Sequence, residues 1–325
     1  MQVSPIILLV SVATLFSFML PGFLLRKTKL ADNHFAKSLS LYVLYIAQVA
    51  MILHCFLIDF NSKTFINFFK TLVLAFTAHI VFYFIATKLF KKVPDGKSTI
   101  LQFGIIFSNA GYMGIPVISD VFGDEYGIYA TAYVVAFNVF VYTLGRLVYT
   151  HDKKYISIKK IFLNPTILSI IIGLVLYITD VGGFIQSTVN TEGFVGRAIT
   201  VVYNVIATLK NTIAPASMMV IGAGLADVKF KSIFKDKYIY PFLIIRHFIF
   251  PFIIWLVMRP LLSFNIINEV VMAVVLILSS TPSAAITSMF AELYGYDSAY
   301  ASKLVSVSTV LSVATMPIVA MLMYI

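Results

Sequence analysis

The chain has 325 residues, of which 60% are hydrophobic and 12% are charged, and its mean hydropathy is +0.95. Soluble globular domains carry about 25% charged residues, so this composition excludes an ordinary soluble protein and indicates an integral membrane protein. The formal net charge is +10, which in a soluble protein would suggest a nucleic-acid partner. In a membrane protein the distribution of the charges along the chain is more informative than their sum, so we expect no nucleic-acid partner. The one cysteine, Cys55, excludes an intrachain disulfide and a metal site made of several cysteines.

Ten apolar segments follow one another along the chain, separated by polar intervals. A helix of about 20 residues crosses the ~30 Å hydrocarbon core of a bilayer, and each segment is close to that length. We therefore predict an all-α membrane protein with ten transmembrane helices, which we name spans one to ten. They cover residues 4–25, 38–59, 67–90, 99–121, 127–149, 164–184, 204–226, 238–260, 268–291 and 298–325.

Basic residues are concentrated in every second polar interval. The intervals after spans one, three, five and seven contain Arg26, Lys27, Lys29, Lys37, Lys88, Lys91, Lys92, Lys97, Arg146, Lys153, Lys154, Lys159, Lys160, Lys229, Lys231, Lys235 and Lys237. The other intervals contain only Lys63, Lys70, Arg197, Lys210 and Arg259. Cytoplasmic loops carry an excess of Lys and Arg, so we expect a multi-pass protein of the cytoplasmic cell membrane with both termini outside.

The two halves of the chain resemble each other. Residues 1–150 form a first group of five spans, residues 151–163 a cytoplasmic linker, and residues 164–325 a second group of five. The sequence SPIIL opens span one and NPTIL opens span six, while SNAG in span four corresponds to STPS in span nine. Five is an odd number, so the second group must cross the membrane in the opposite sense, which predicts the inverted repeat typical of secondary transporters.

Spans four and nine contain helix-breaking residues in the middle of apolar runs. Gly111, Gly114 and Pro116 lie in span four, and Pro282 lies in span nine. Irregular backbone at membrane depth is tolerated where it is buried in protein or lines a watery cavity. Two half-helices that resume near the midplane would aim their positive ends at one place, which favours a carboxylate. The alternative is that these residues serve helix packing and kinks, as Gly and Pro do in many membrane helices.

Two further polar residues lie at membrane depth. Arg246 is nine residues beyond Lys237, or about 13 Å along a helix, where an unpaired arginine is costly. It is either a counter-charge for an anionic substrate or part of an ion pair or carbonyl cluster within the protein. Asn138 in span five either lines the substrate site or bonds to a neighbouring helix.

Several motifs together resemble the auxin efflux carrier family, which includes bacterial malate-permease-like proteins and plant PIN-type carriers. They are SNAGYMGIP, YGIYATAYVVAFNVF, LNPTILSIIIG, APASMMVIGAGLA and TPSAAITSMFAELYGYD, and they cover nearly the whole chain in register. The resemblance implies broken, crossing spans four and nine at the substrate site. It also implies a homodimer in which a transport body, spans three to five and eight to ten, moves like an elevator against a scaffold of spans one, two, six and seven.

The resemblance also assigns residues. Asn109 matches the asparagine that coordinates the substrate carboxylate, and Pro116 and Pro282 match the prolines at the crossing. Plant members have a proline and a glutamine where this chain has Ser108 and Ser283, and their long central loop is absent here, so the likeness is closer to the short prokaryotic members. The predicted substrate-binding residues are Ser108, Asn109, Gly111, Pro116, Thr281, Pro282, Ser283, Asn138 and Arg246.

A more distant likeness, to the bile-acid sodium symporter fold, concerns the coupling ion. In that fold a Ser-Asn pair in span four and a Thr in span five help to hold sodium, and Ser108, Asn109 and Thr131 match them. Hydroxyl and amide oxygens suit a hard cation, although small hydroxyl residues also join membrane helices to one another. The coupling ion is therefore left open between H⁺ and Na⁺.

The sequence favours a secondary active transporter of a small organic anion, such as malate or another mono- or dicarboxylate, or an auxin-like carboxylate. Motifs of hydrolases, metalloproteases and nucleotide-binding enzymes are absent, so we expect neither an enzyme nor a cofactor. The alternative function is a membrane sensor that binds a ligand in the same pocket without transport. A sensor normally needs a soluble output domain, and the polar intervals of this chain are short.

Overall fold

The computed structural model of the protein describes residues 5–32, 34–94, 96–152, 154, 156, 158–226 and 235–324. The predicted cytoplasmic charges Lys153, Lys229 and Lys231 lie outside the described residues, as does the first residue of the SPIIL motif. Every regular element that the structure describes is helical.

Seven helices among the described residues are long and apolar enough to cross a membrane. They are Leu9–Lys27, Phe35–Cys55, Ser62–Leu89, Asp124–Thr150, Phe194–Ala226, Ile239–Ser263 and Ser298–Tyr324. An eighth candidate consists of Pro165–Ile178 and Val181–Thr188, which are bent by 77° at their junction. The prediction of an all-α, multi-pass membrane protein is confirmed. Spans four and nine are each divided into two shorter helices, so the count of ten spans in an inverted repeat stays a prediction.

The individual helical segments of the described residues are as follows. The α-helices are Pro5–Ser17, Met19–Lys27, Phe35–Tyr42, Gln48–Cys55, Ser62–Leu89, Lys97–Ile106, Ile115–Phe122, Gly127–Phe140, Arg146–Thr150, Ile158–Phe162, Pro165–Ile178, Val181–Thr188, Phe194–Asn211, Ile213–Ala226, Ile239–Ile244, Phe250–Ser263, Glu269–Ser280, Ile286–Leu293 and Ser298–Ala320. Wider π-turns occupy Val43–Ala47, Ala110–Gly114, Val141–Gly145 and Ile245–Ile249, and short 3₁₀ turns occupy Asp124–Tyr126 and Met321–Tyr324.

Two predicted boundaries in the second half were wrong. The helix of span seven begins at Phe194 rather than at residue 204, because its first turns are amphipathic and therefore do not read as a continuous apolar run. Span six does not end at 184, since its helix stops at Ile178 and a second helix continues to Thr188 after a sharp bend. Asp180 takes the left-handed backbone conformation at that bend, with φ 55°.

Polar residues fix the starts of several helices. The side-chain oxygens of Asn61, Asn164, Asn268 and Asp297 accept hydrogen bonds from backbone N–H groups in the first turns that follow them. These are N-caps, which satisfy amide groups that have no partner inside the helix. Asn164 has a further importance because it also lies in the candidate site.

The helices of spans four and nine are interrupted, and the two interruptions lie against each other. Span four leaves the helix at Phe107 and resumes after Asn109, while span nine leaves the helix at Thr281 and resumes at Ile286. The Asn109 N–H donates to the Pro282 carbonyl at 2.8 Å, and the Ala284 N–H donates to the Phe107 carbonyl at 3.0 Å. This short antiparallel bridge pairs backbone groups that the hydrocarbon region could not hydrate. We call it the crossing.

The break in span four lies earlier than its glycines and proline suggest. Gly111 and Gly114 belong to the π-turn that follows the break, and Pro116 occupies the first turn of the helix Ile115–Phe122. The π-turn runs directly into this helix, and π-turns and prolines are both common places for a helix to bend. Pro282 lies within the break of span nine itself.

Spans one and seven approach each other closely through two glycines. A Cβ on Gly22 would lie 2.1 Å from the carbonyl oxygen of Met219, and a Cβ on Gly222 would lie 2.0 Å from that of Met19. Real Cβ atoms do not come this close to other atoms, so each glycine makes room for the backbone of the other helix. We call this pair of contacts the glycine joint.

Candidate functional site

A cavity of about 280 Å³ lies beside the crossing. Small-molecule sites commonly occupy roughly 300–1,000 Å³, so this cavity suits a compact ligand. It is lined by Leu44, Gln48, Asn109, Gly111, Tyr112, Phe137, Asn138, Tyr142, Asn164, Thr166, Ala284, Ala285, Ile286, Met289, Phe290 and Leu293. These lining residues include amides and hydroxyls but no charged side chain.

Three helical segments begin at the cavity wall. Asn109 precedes the turn Ala110–Gly114 and its helix, Asn164 precedes Pro165–Ile178, and Ala285 precedes Ile286–Leu293. The first amide groups of a helix point out of its N-terminal end, which carries roughly half a positive charge. The Asn164 side chain caps the amides of the second segment, so that segment contributes through its dipole rather than through free amides. The cavity therefore has a partly positive wall without a buried basic side chain.

A network of amides and one phenol holds part of this wall. Asn164 donates through Nδ2 to Asn138 Oδ1 at 3.4 Å and to the Tyr142 hydroxyl at 3.2 Å, while its Oδ1 accepts from the backbone N–H of Thr166. Asn138 Nδ2 in turn donates to the Val134 carbonyl at 2.9 Å. Asn138 was predicted either to line the substrate site or to bond to a neighbouring helix. In the structure it lines the cavity and bonds to Asn164 of span six, and its role in substrate binding stays a prediction.

Gln48, in the middle of span two, contributes a polar group that we did not predict. The residue is 3% exposed, and its Oε1 is buried without a hydrogen-bond partner among the described residues. Gly111 gives it room, because a Cβ at position 111 would lie 2.8 Å from Gln48 Nε2. A glutamine within an apolar span is a costly residue that usually has a function, and this was the signal available in the sequence.

Asn164 was also missed as a site residue. Its position before Pro165 marked it as the start of span six, and in the structure its side chain caps that helix. Its second role, towards the cavity, depends on the approach of span five, which no local pattern reveals.

The predicted residues divide between the cavity and the interior. Asn109, Gly111 and Asn138 line the cavity. Ser108, Thr281, Pro282, Ser283, Pro116, Thr131 and Arg246 are not among its lining residues. Ser283 hydrogen-bonds through its N–H to the Ser308 hydroxyl at 2.9 Å, and the Thr281 hydroxyl donates to the Leu278 carbonyl at 2.8 Å.

The three residues of the sodium hypothesis are buried. The Ser108 hydroxyl has no hydrogen-bond partner among the described residues, Asn109 lies next to it, and the Thr131 hydroxyl donates to the Ile128 carbonyl at 2.7 Å. Their role in ion coupling stays a prediction.

Arg246 is fully buried and contacts backbone carbonyls at the crossing. Its Nη2 donates to the Thr281 carbonyl at 2.6 Å and its Nη1 to the Ile105 carbonyl at 3.4 Å. These carbonyls lie at the C-terminal ends of Lys97–Ile106 and Glu269–Ser280, where a helix dipole is negative. In this conformation Arg246 forms the carbonyl cluster, the second of the two alternatives given by the sequence.

A second pocket, of about 410 Å³, lies towards the end of span four. Its lining includes Pro116, Ser119, Asp120, Asp124 and Lys210. Lys210 in span seven forms a hydrogen-bonded ion pair with Asp124, which precedes span five, and lies 3.5 Å from a ring nitrogen of His54. We call this region the Lys210 side and the region of the cavity the cavity side.

The chain matches a family model described as a membrane transport protein over residues 7–158 and 149–320. A comparison with curated proteins gives no match. The two matched segments overlap and together cover nearly the whole chain, and the family is one of transporters rather than enzymes. The protein is therefore a member of the auxin efflux carrier family of membrane transport proteins.

Proposed function

We propose that the protein is a secondary active transporter of a small organic anion, a mono- or dicarboxylate, across the cytoplasmic membrane. The observation that carries the proposal is the cavity beside the crossing, which is lined by amides and by the starts of three helical segments. Such a wall offers hydrogen-bond donors and a partly positive potential to a carboxylate. The described lining residues include no acidic side chain, so no lining side chain repels an anion.

Asn109 is the side chain we assign to the carboxylate. It lies at the crossing and lines the cavity, and its own backbone N–H is fixed by the Pro282 carbonyl. An amide donor held by a rigid backbone loses little conformational freedom when it binds a ligand. The adjacent turn, Ala110–Gly114, adds its positive end at the same place.

Alternating access would be achieved by moving the crossing relative to the scaffold. The cavity takes Gln48 and Asn164 from the scaffold, and Asn109, Asn138 and Met289 from the transport body. A ligand bound mainly to the transport body could then travel with it while its contacts to the scaffold change. The inverted repeat of ten spans and the homodimer are part of this proposal.

Uptake into liposomes tests the proposal. The purified protein is reconstituted, and uptake of labelled malate is measured first under an imposed proton gradient and then under a sodium gradient. We expect saturable uptake that follows one of the two gradients and is lost in Asn109→Ala. Asn67→Ala, at the start of span three and outside the cavity lining, is the matched control and should transport normally.

Two outcomes would count against the proposal. Equal uptake by Asn109→Ala and the unchanged protein would reject the assigned site. Binding of malate by the purified protein without uptake under any gradient would reject transport and favour a membrane sensor that uses the same cavity.

A further inference from the structure

We propose that a phospholipid of the phosphatidylethanolamine class binds in a groove between spans three and eight, with its phosphate at Lys70. None of the described residues that line this groove lines the cavity beside the crossing. The inference therefore concerns a second binding site and goes beyond the proposed function, since it holds whichever solute the protein transports.

The groove consists of two adjoining pockets of unlike character. The first, of about 480 Å³, is mainly apolar and is lined by Phe65, Ile66, Phe69, Lys70, Val73, Leu74, Leu261, Ile266 and Ile267. The second, of about 460 Å³, is mainly polar and is lined by Asn67, Lys70, Leu262, Asn265, Ile267, Asn268 and Glu269. Because Lys70 and Ile267 line both pockets, the two form one continuous site, which we call the Lys70 groove.

The Lys70 groove begins at the membrane surface. The helix Ser62–Leu89 has 28 residues and is about 42 Å long, whereas the hydrocarbon core is ~30 Å thick, so its first turns extend among the lipid headgroups. The polar pocket also contains residues from the turn between the helices Phe250–Ser263 and Glu269–Ser280, where the chain reverses direction. Both observations place the polar pocket at the level of the headgroups.

The apolar pocket extends farther into the membrane and opens towards lipid. Along span three it reaches Leu74, whereas the polar pocket reaches only Lys70. The side chains of Ile66 and Val73 are 53% and 62% exposed, so this wall is not covered by another helix of the chain. A molecule with a polar head and an apolar tail therefore matches the groove along its length.

Lys70 supplies the charge that selects a phosphate. Among the described residues it has no ion-pair partner. A lysine can lay its aliphatic stem along an apolar surface while its ammonium group stays at the interface, and basic side chains at the ends of membrane helices attract phospholipid headgroups. Asn268 Oδ1 accepts from the Val271 N–H at 2.8 Å, which leaves Asn268 Nδ2 as a second donor for the phosphate.

Glu269 determines which headgroup suits the pocket. It lines the polar pocket together with Lys70, so this pocket has one side chain of each sign. The headgroup of phosphatidylglycerol offers a negative phosphate alone, whereas that of phosphatidylethanolamine adds an ammonium group and matches both signs. Charge pairs that water reaches are worth little, so the expected preference for phosphatidylethanolamine is modest, up to about fivefold.

Native mass spectrometry of the purified protein in lipid-free detergent tests the inference. Phosphatidylethanolamine and phosphatidylglycerol with identical acyl chains are titrated separately, and glycerophosphoethanolamine, the headgroup without acyl chains, is added as a competitor. We expect saturable binding of one phosphatidylethanolamine per chain, weaker binding of phosphatidylglycerol, and no displacement by an equal concentration of the competitor, because burial of an acyl chain contributes much of the affinity.

Two substitutions with matched controls then locate the lipid. Lys70→Met keeps an apolar stem without the charge and should weaken binding about fivefold, whereas Lys63→Met, at an exposed lysine two turns earlier on the same helix, should not. Val73→Trp fills the apolar pocket and should reduce binding at least about tenfold. Its control is Ile80→Trp, at a residue of the same helix that is 42% exposed and does not line the groove.

Several outcomes would overturn the inference. Binding that never saturates, or tighter binding of phosphatidylglycerol, would do so on the unchanged protein and needs no folded variant. Equal affinities of Lys70→Met and Lys63→Met would remove Lys70 from the site. A change in oligomeric state in Val73→Trp, visible in the same spectra, would show that the groove is a contact between copies of the chain. None of these results bears on uptake of organic anions, so the proposed function stands or fails separately.

Discussion

The cavity side and the Lys210 side of the crossing are built from different kinds of polar groups. The described lining of the cavity has amides, hydroxyls and helix starts but no charged side chain, whereas the pocket on the Lys210 side has Asp120, Asp124 and Lys210. A charge sealed in a low-dielectric site must be paired or pays a large desolvation cost. A basic residue in the cavity would be left as an unpaired buried charge each time the ligand leaves. Neutral donors avoid this desolvation cost, so they suit a site that is alternately occupied and empty.

On the Lys210 side the charges join parts of the protein rather than a ligand. In the proposed mechanism Lys210 belongs to the scaffold and Asp124 to the transport body, so their ion pair would connect the two bodies. The side chain of Asp124 is 51% exposed and that of Lys210 is 12% exposed, so water reaches the carboxylate and screens the pair, and ion pairs that water reaches are weak. A weak contact at this position can be broken and made again during a transport cycle.

The largest effect is expected at Arg246. Arg246→Met would leave the carbonyls of Thr281 and Ile105 at the crossing without their guanidinium donor. Each hydrogen bond to a charged group contributes roughly 1.5–3 kcal/mol, so we expect a marked fall in the midpoint of thermal unfolding in detergent and the loss of transport. Arg197→Met, at an exposed arginine, is the control. An unchanged midpoint in Arg246→Met would show that the crossing does not depend on this charge.

A smaller effect is expected at Gly111, and it affects the ligand more than the fold. The Cβ in Gly111→Ala would lie 2.8 Å from Gln48 Nε2, so the glutamine at the cavity wall must shift. We expect about tenfold weaker binding of the transported anion, measured by calorimetry. Gly224→Ala is the matched control, because nothing lies within 4 Å of a Cβ there. Equal affinities of the two variants would argue against a ligand at this wall.

The third prediction concerns the ion pair between the two bodies. Asp124→Asn should weaken the contact with Lys210 and raise the population that is open on the Lys210 side. Exposed pairs are worth about 0.2–1 kcal/mol, so the expected rise is up to roughly fivefold. It is read as the rate of maleimide labelling of Ser119→Cys, which lines that pocket, while the native Cys55 is buried.

A control for this labelling is Asp152→Asn, which removes an ion pair with Lys154 that lies in the linker. It should leave the labelling rate of Ser119→Cys unchanged. Labelling that is equally slow in Asp124→Asn would mean that the pair does not hold the two bodies together.

The smallest effect is expected outside the spans, at Lys97 and Asp236. Their atoms Nζ and Oδ2 lie 2.7 Å apart. Burial alone would raise the pKa of Asp236, but the hydrogen bonds from Lys97 and from the Tyr238 N–H hold that pKa below its ordinary value. The stabilisation is therefore present above the unfolded pKa of about 3.9 and is lost as the pH falls through the lower folded value.

Thermal unfolding between neutral pH and pH 3 checks this prediction. The difference in midpoint between the unchanged protein and Asp236→Asn should be small at neutral pH and should shrink on acidification. A difference that grows towards low pH would contradict the assigned sign.

Some of these features could be predicted from the sequence and others could not. The interruption of span four follows from local composition, because an asparagine, two glycines and a proline in an apolar run oppose a continuous helix. Its exact position, at residues 107–109, depends on backbone pairing with span nine. The sequence also predicted that Arg246 lies deep in its span. It could not predict the carbonyl groups that Arg246 contacts, because they belong to two other spans.

The missed residues share one cause. Gln48 was marked only by its polarity within an apolar span, and Asn164 only by its place at the start of span six. Neither sign shows that tertiary packing brings spans two and six to the cavity. The early start of span seven was hidden because Phe194–Asn211 is amphipathic, and a hydropathy reading recognises uniformly apolar helices more readily. The composition of spans four and nine thus predicted the helix breaks. The residues that pack around the breaks could be identified only from the folded structure.

The glycine joint restricts how spans one and seven can move. Sliding one helix along the other by one turn, about 5.4 Å, would bring Phe18 or Arg26 to the place that Gly22 now occupies, and neither side chain fits against the backbone of span seven. The two helices therefore keep a fixed register and do not slide along each other. A movement that carries a ligand across the membrane would therefore leave the contact between these two helices unchanged and take place at other helix contacts.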